Sequence, residues 1–212
     1  MVVQRGRESE AFQYVPSEPS GTIGGKGEMI YGISHQGWFY VKRDSAGLLW
    51  DEEWPVFKIS QNDAQAYAQY LSKKQKKTWM LPDEFQWEKA ARGVDKRLFP
   101  WGNFLDSSWT CMRHSIKGNQ QPQSVYASSI DISPFGVYGM GGNARDMTST
   151  LFSMDGSASY SKKIKGEDNF YVVRGGSWYD NSQFIRSCSR SSEHQKTGSP
   201  HLSFRLIRYP DW

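Results

Sequence analysis

The chain has 212 residues, with 26 Lys and Arg against 22 Asp and Glu for a formal net charge of +4. That length suits one well-buried domain, and so small a cationic surplus does not build a nucleic-acid surface. Nine Trp, eleven Tyr, eleven Phe and 20 Gly at a mean hydropathy of -0.69 describe a loop-rich domain held by large aromatic anchors, a profile that suits an irregular fold better than a helix bundle.

No stretch reaches the ~18 apolar residues of a membrane span, and the first residues lack the blocks of a secretory signal. The expectation is a cytoplasmic protein with no membrane insertion. Cys111 and Cys188 lie far apart, without CxxC or Cys/His ligand spacing, so neither a disulfide framework nor a zinc site is expected. Each reads as a free, buried thiol.

Residues 1–29 mix Gly, Ser, Pro and charge without a regular period and read as a flexible leader or loop, leaving 30–212 as the folded domain. Gly37 to Arg43 and Leu48 to Trp50, separated by Asp44-Ser45-Ala46-Gly47, predict a hairpin. Ser60 with Asp63 is a capping-box pattern that opens a helix to about Lys74, with Ala64, Tyr67 and Leu71 on one face. The basic run Lys73 to Lys77 then complements that helix's dipole and needs no phosphate ligand. A second helix starts at Asp83, with Gln86 in the reciprocal capping position, an apolar stripe of Trp87, Ala90 and Ala91, and Gly93 as its stop. Beyond Gly93 the chain is turns and short strands, with 153–168 as an exposed insertion.

Four segments carry a resemblance. They are Met80 to Gly93, Phe99-Pro100-Trp101-Gly102, Pro134 to Asp146, and Val173-Arg174-Gly175-Gly176-Ser177-Trp178 followed by Phe204-Arg205-Leu206. In this order and spacing they resemble the formylglycine-generating enzyme, or sulfatase-modifying factor, family over residues 54 to 208. The resemblance implies an α+β, irregular, modified C-type lectin-like fold of short antiparallel strands, two helices and many loops. The wording Arg92-Gly93-Val94-Asp95 and Asp131 to Val137 is most similar to versions attached to the C-terminal side of bacterial serine/threonine protein kinases. No kinase signature occurs in the chain itself. The strand pair with which the family usually begins is not found here, so the chain reads as a piece of a longer polypeptide.

In the enzymes that the chain resembles, two cysteines follow the Gly-Gly-Ser motif, the first three residues beyond the Ser and the second five further on. Together they bind copper. Here Ser177 is followed at those offsets by Asp180 and Ile185, which cannot form a two-thiolate site, so no catalytic residue and no redox cofactor are expected. The four histidines, His35, His114, His194 and His201, show no metal-binding spacing and read as surface or turn residues. Gly175-Gly176-Ser177 reads as a strand-end motif without an acid or base partner. One ion is implied, a structural calcium held through Asn143, Ala144 and Asp146 as in the family's Asn-x-x-Glu segment. The alternative is that Asn143 and Asp146 only cap a loop by bonding backbone amides.

The resemblance also places the segment after Gly-Gly-Ser beside the enzymes' substrate groove. Trp178, Tyr179, Asp180, Asn181, Gln183 and Arg186 are therefore the candidate contact residues for a protein or peptide ligand. The expected role is a non-catalytic sensor or scaffold module of a kinase-like protein. A second reading is the variable ligand-display protein of a diversity-generating retroelement, in which Tyr179, Asp180, Asn181, Ser182, Ser187, Ser189 and Ser191 would be the varied positions.

Overall fold

A computed structural model describes residues 31–43, 47, 49–115, 120–153 and 169–210. The expected leader at 1–29, the turn residues 44–46 and the insertion from 154 to 168 lie outside the described residues. In chain order the elements are β1 (Tyr31–Ile33), β2 (Phe39–Val41), α1 (Gln61–Gln75), β3 (Trp79–Met80), α2 (Glu84–Arg92), a 3-10 turn (Ser107–Trp109), β4 (Arg145–Leu151), β5 (Phe170–Arg174), β6 (Arg190–His194), β7 (Leu202–Phe204) and β8 (Ile207–Arg208). Two helices and mostly short strands make this an α+β chain.

Both helices begin as their caps dictate. Ser60 Oγ accepts from the Asp63 amide at 3.3 Å while Asp63 Oδ2 accepts from the Ser60 amide at 2.8 Å. At α2 the same exchange joins Asp83 and Gln86, at 2.7 and 2.9 Å, and Gly93 closes the helix at φ 68. Ala64 is fully buried, but Tyr67 stays half-exposed and meets the Phe204 ring edge at 5.8 Å.

The N-terminal hairpin is not the one the sequence predicts. β1 pairs with β2, and among the described residues the expected pairing of 37–43 with 48–50 shows as one bridge between Arg43 and Leu49. Gly37 at φ 81 turns the chain immediately before β2, where the Ser34 amide donates to Trp38 O at 2.8 Å. Packing then favours this register: Tyr31 meets Phe39 edge-on at 6.4 Å, and the Tyr40 ring lies against Gly32, where a Cβ would come within 2.4 Å of it.

The main sheet has the order β6-β5-β4-β7. β4–β5 and β5–β6 are antiparallel, whereas β4–β7 is parallel, which corrects the expectation of antiparallel pairing throughout. β6 and β7 run the same way on opposite edges, so the 195–201 connection has to cross the sheet. One core of Ile59, Ala64, Leu81, Met147, Val173 and Leu202 unites α1 with this sheet. A second, around Trp87, Ala91 and Met140, seats α2. Two charged staples fasten α2 to the strands: Glu84 takes Arg190 through two hydrogen bonds at 2.7 and 3.1 Å, and Glu88 takes Arg174. Among the described residues, no helix is long and apolar enough to cross a membrane.

Candidate functional site

The Gly-Gly-Ser turn is built by close approach. Gly175 stands at φ +73, where an added Cβ would lie 3.2 Å from the Trp87 ring, and a Cβ on Gly176 would lie 2.6 Å from Ile185 Cγ2. These contacts aim the chain off the end of β5 into a tight loop. Ser177, fully buried, donates through its hydroxyl to Asp180 Oδ2 at 2.7 Å, and its amide donates to the same oxygen at 2.9 Å. The serine therefore does have an acid partner, which the sequence reading did not assign.

Asp180 is also gripped from β4. Arg145 Nε donates to Oδ2 at 2.8 Å and Nη2 to Oδ1 at 2.5 Å, while the guanidinium lies 5.5 Å from the Phe184 ring centroid and 3.9 Å from Glu193. Burial pushes the Asp180 carboxyl up, but the bonds from Arg145 and Ser177 and the Arg145 charge outweigh it and hold the group below its ordinary value. A carboxylate so stabilised is a poor proton acceptor, and Ser177 is sealed from solvent, so this pair braces the loop and does not activate a nucleophile. Ile185, at the second family cysteine offset, is fully buried in a cluster with Phe99 and Met112.

Around this brace stands a group of rings. His201 stacks on Tyr179 at 5.1 Å, and Trp178 packs beside His201 at 5.0 Å. Arg113 lies 4.9 Å from the Tyr179 ring centroid, a cation–π contact. Trp178 Nε1 donates to Pro200 O at 2.9 Å. Burial drives the His201 imidazole down to about 4, with the Asp180 charge pulling the other way, so it is neutral near pH 7.

The six expected contact residues thus divide. Tyr179, Asn181, Gln183 and Arg186 are exposed on one loop, Trp178 is half-buried and tied by its indole, and Asp180 is buried. Asp180 as a contact residue is corrected: its oxygens serve Arg145 and Ser177. The sequence reading missed Arg145, Arg113 and His201. Arg145 lies 35 residues from Asp180, and His201 carries no spacing signal, since the parallel placement of β7 beside β4 alone brings it to the rings.

The expected calcium residues do not form an oxygen cage. Asn143, at φ 69, exchanges two hydrogen bonds with the Gln123 backbone, its Oδ1 accepting at 3.0 Å and its Nδ2 donating at 2.9 Å. Asp146 Oδ2 accepts from Trp87 Nε1 at 2.7 Å and from Arg205 Nε at 2.6 Å. An oxygen facing a guanidinium is already neutralised, so Asn143, Ala144 and Asp146 do not fit a calcium ion; Asn143 instead pins the 120s loop. Among the described residues, no three His, Cys, Asp or Glu side chains converge as a metal cluster. The cysteines differ as well: Cys111 is buried, with burial pushing its thiol up to about 12, whereas Cys188 is exposed, contrary to expectation.

A cavity of about 680 Å³ lies away from the 178–186 loop, between Pro55-Val56, the 124–129 segment and the Asp146–Arg205 pair. Its floor includes Asp131, a buried carboxylate that takes the Thr110 hydroxyl at 2.6 Å and the amides of Gly141 and Gly142. Every one of these bonds serves to hold the Gly141-Gly142 turn.

Comparison with known proteins agrees with this architecture. The formylglycine-generating enzyme of Bos taurus is 27% identical over 183 residues, covering 79% of this chain and 47% of that protein. The inactive C-alpha-formylglycine-generating enzyme 2 of Bos taurus is 26% identical over 181 residues, covering 79% and 54%. The chain thus spans about half the length of the curated relatives it matches. Among solved structures, PvdO from Pseudomonas aeruginosa superposes with a TM-score of 0.64 at 21% identity, over 84% of this chain and 70% of that one. The Treponema denticola variable protein 1 superposes at 0.50 and 19% identity, over 86% and 63%, and shares the fold. Residues 33–210 match the model of the sulfatase-modifying factor enzyme 1-like domain, and the chain belongs to that family.

Proposed function

We propose that this domain is a non-catalytic member of its family that binds a protein or peptide through the loop carrying Tyr179, Asn181, Gln183 and Arg186. The observation that carries this reading is what stands at the two positions where the resemblance places copper-binding thiols. Asp180 is closed by Arg145, and Ile185 is sealed in the core beneath Gly176. Neither side chain can ligate a soft metal, and both consolidate the loop that presents the exposed residues. An inactive relative within the family supports the same view. The parent protein, on this reading, joins the domain to a serine/threonine protein kinase, as the wording around Arg92 and Asp131 suggests.

A retroelement variable protein is the second reading, supported by the shared fold of the Treponema protein. Against it, Ser187 and Asp180, two of the positions such a protein would vary, are buried. Two experiments test the first reading. Incubated with copper(I) and a cysteine-bearing sulfatase peptide, the purified chain should leave the peptide mass unchanged, and aldehyde formation would overturn the proposal. Partner capture from cell extract should weaken when Tyr179 and Arg186 are replaced by Ala; equal recovery would remove the loop from recognition.

A further inference from the structure

A second cavity, of about 300 Å³, opens between the β1–β2 hairpin and residues 50–57, remote in sequence from the 178–186 loop. Its walls are aromatic: Tyr31, Trp50, Trp54 and Phe57 line it, with Trp50 meeting Trp54 edge-on at 5.8 Å and Phe57 at 5.4 Å. Several ring faces and edges thus bound one small space. The lining also includes two carboxylates, Asp51 and Glu52, and no Lys, Arg or His among the described residues.

Those acids are exposed at the rim while Trp50 and Phe57 are buried. Burial, followed by the Glu52 charge, pushes the Tyr31 hydroxyl up, so the negative field of the rim is felt inside. Trp50 already faces an ammonium, since the buried Lys58 carries its Nζ 4.9 Å from the ring centroid. Lys58 is not among the lining residues, whereas Asp51 and Glu52 are.

The geometry points to a binding site for a quaternary ammonium group. Ring faces attract a cation through their quadrupoles, and the rim acids add a longer-range pull. A primary ammonium held against the rings would give up hydrogen bonds to water that ring faces cannot replace, and only the rim carboxylates offer it charged acceptors in return. A trimethylammonium group has no N–H to satisfy, fills the space with methyl groups and keeps its charge. The volume sits at the lower end of small-molecule sites, matching a headgroup and not a large ligand. Two sources could supply it, a free choline-like metabolite or a trimethylated lysine of a partner protein, and the chemistry at the box is the same.

The test is a titration of the intact chain at constant ionic strength, followed by tryptophan fluorescence and by calorimetry. The probes are choline, a trimethyllysine peptide, and 3,3-dimethylbutanol, the uncharged carbon isostere of choline. Choline should give a saturable response, with the isostere weaker by about tenfold or more. Glu52→Gln, at an exposed position that leaves the fold intact, should weaken choline a fewfold, and Trp54→Leu should abolish the response. Phe85→Ala, at an exposed position on α2 outside the lining, should leave it unchanged. Tighter binding of the peptide than of choline would assign the headgroup to a modified protein, and the reverse to a free metabolite. Equal responses to choline and its isostere, or no saturable response to either ammonium probe, would overturn the proposal.

Discussion

The guanidinium of Arg145 and the carboxylate of Asp180 meet in two hydrogen bonds, Nε to Oδ2 at 2.8 Å and Nη2 to Oδ1 at 2.5 Å. The side chains are 20% and 8% exposed, so the pair is screened by protein more than by water. Removing one partner leaves the other charge without compensation, and that cost exceeds the net worth of the pair. Asp180→Asn should lower unfolding stability in urea by ~2–3 kcal/mol, with m unchanged. Arg145→Lys keeps the charge but loses the fork, and about 1–2 kcal/mol should go with it. A change under about 0.5 kcal/mol in both variants would show that the pair does not brace the loop.

Gly176 and Ile185 are a second coupled pair. An alanine at 176 would place its Cβ 2.6 Å from Ile185 Cγ2 and 3.2 Å from Gly141 O, so the turn or the isoleucine must shift. Gly176→Ala should cost ~1–3 kcal/mol by overpacking, and Ile185→Ala ~2–4 kcal/mol through the cavity it leaves. The added methyl occupies part of that cavity in the double variant, whose cost should fall below the sum of the singles by at least about 0.5 kcal/mol. Strict additivity in denaturant melts would mean that the two residues do not share one packing site.

The Gly-Gly-Ser segment also shows how far the sequence carries. Local chemistry was legible: the caps of α1 and α2 and the stop at Gly93 rest on neighbours within four residues, where side chains bond backbone directly. What each motif holds was not. Glu88 and Arg174 are 86 residues apart, Trp87 and Asp146 59, and Asn143 and Gln123 20, and no periodicity encodes those meetings. Asp180 was expected at the contact surface because the resemblance places the segment after Gly-Gly-Ser beside a groove; it is buried because an arginine from another strand satisfies it. The hairpin was placed on the turn sequence at 44–47, whereas the strand pair that forms, β1 with β2, is set by the fit of Tyr40 on Gly32, a contact that no turn residue announces.

The two thiols offer a readout of that buried architecture. Burial pushes Cys111 up to about 12, whereas Cys188 is exposed. Because the thiolate is the reactive form, iodoacetamide at pH 8 should modify Cys188 and spare Cys111 in the folded chain. Mass spectrometry should therefore find one adduct per native chain and two after unfolding in guanidinium. Two adducts under native conditions would place Cys111 at the surface.

His201 makes the aromatic group sensitive to acid. Burial lowers its imidazole from 6.5 to about 4, so between these values the unfolded chain holds a proton that the folded chain does not. The stabilising contribution of the neutral ring is complete above pH 6.5, declines as pH falls toward 4, and changes no further below it. For a largely buried group, the loss across that window should be on the order of 2–3 kcal/mol. Glu193 acts with the opposite sign, since burial raises its carboxyl above the ordinary value and favours its protonation in the folded state as pH falls. The two are separated by His201→Asn, which removes the imidazole titration and leaves Glu193 in place. The variant loses the stacking on Tyr179 at every pH, a constant offset, and its stability should fall less steeply than that of the parent from pH 6.5 to 4. Denaturant melts at half-unit pH steps measure the difference, and parallel curves for the two proteins would show that His201 titrates as an ordinary surface histidine.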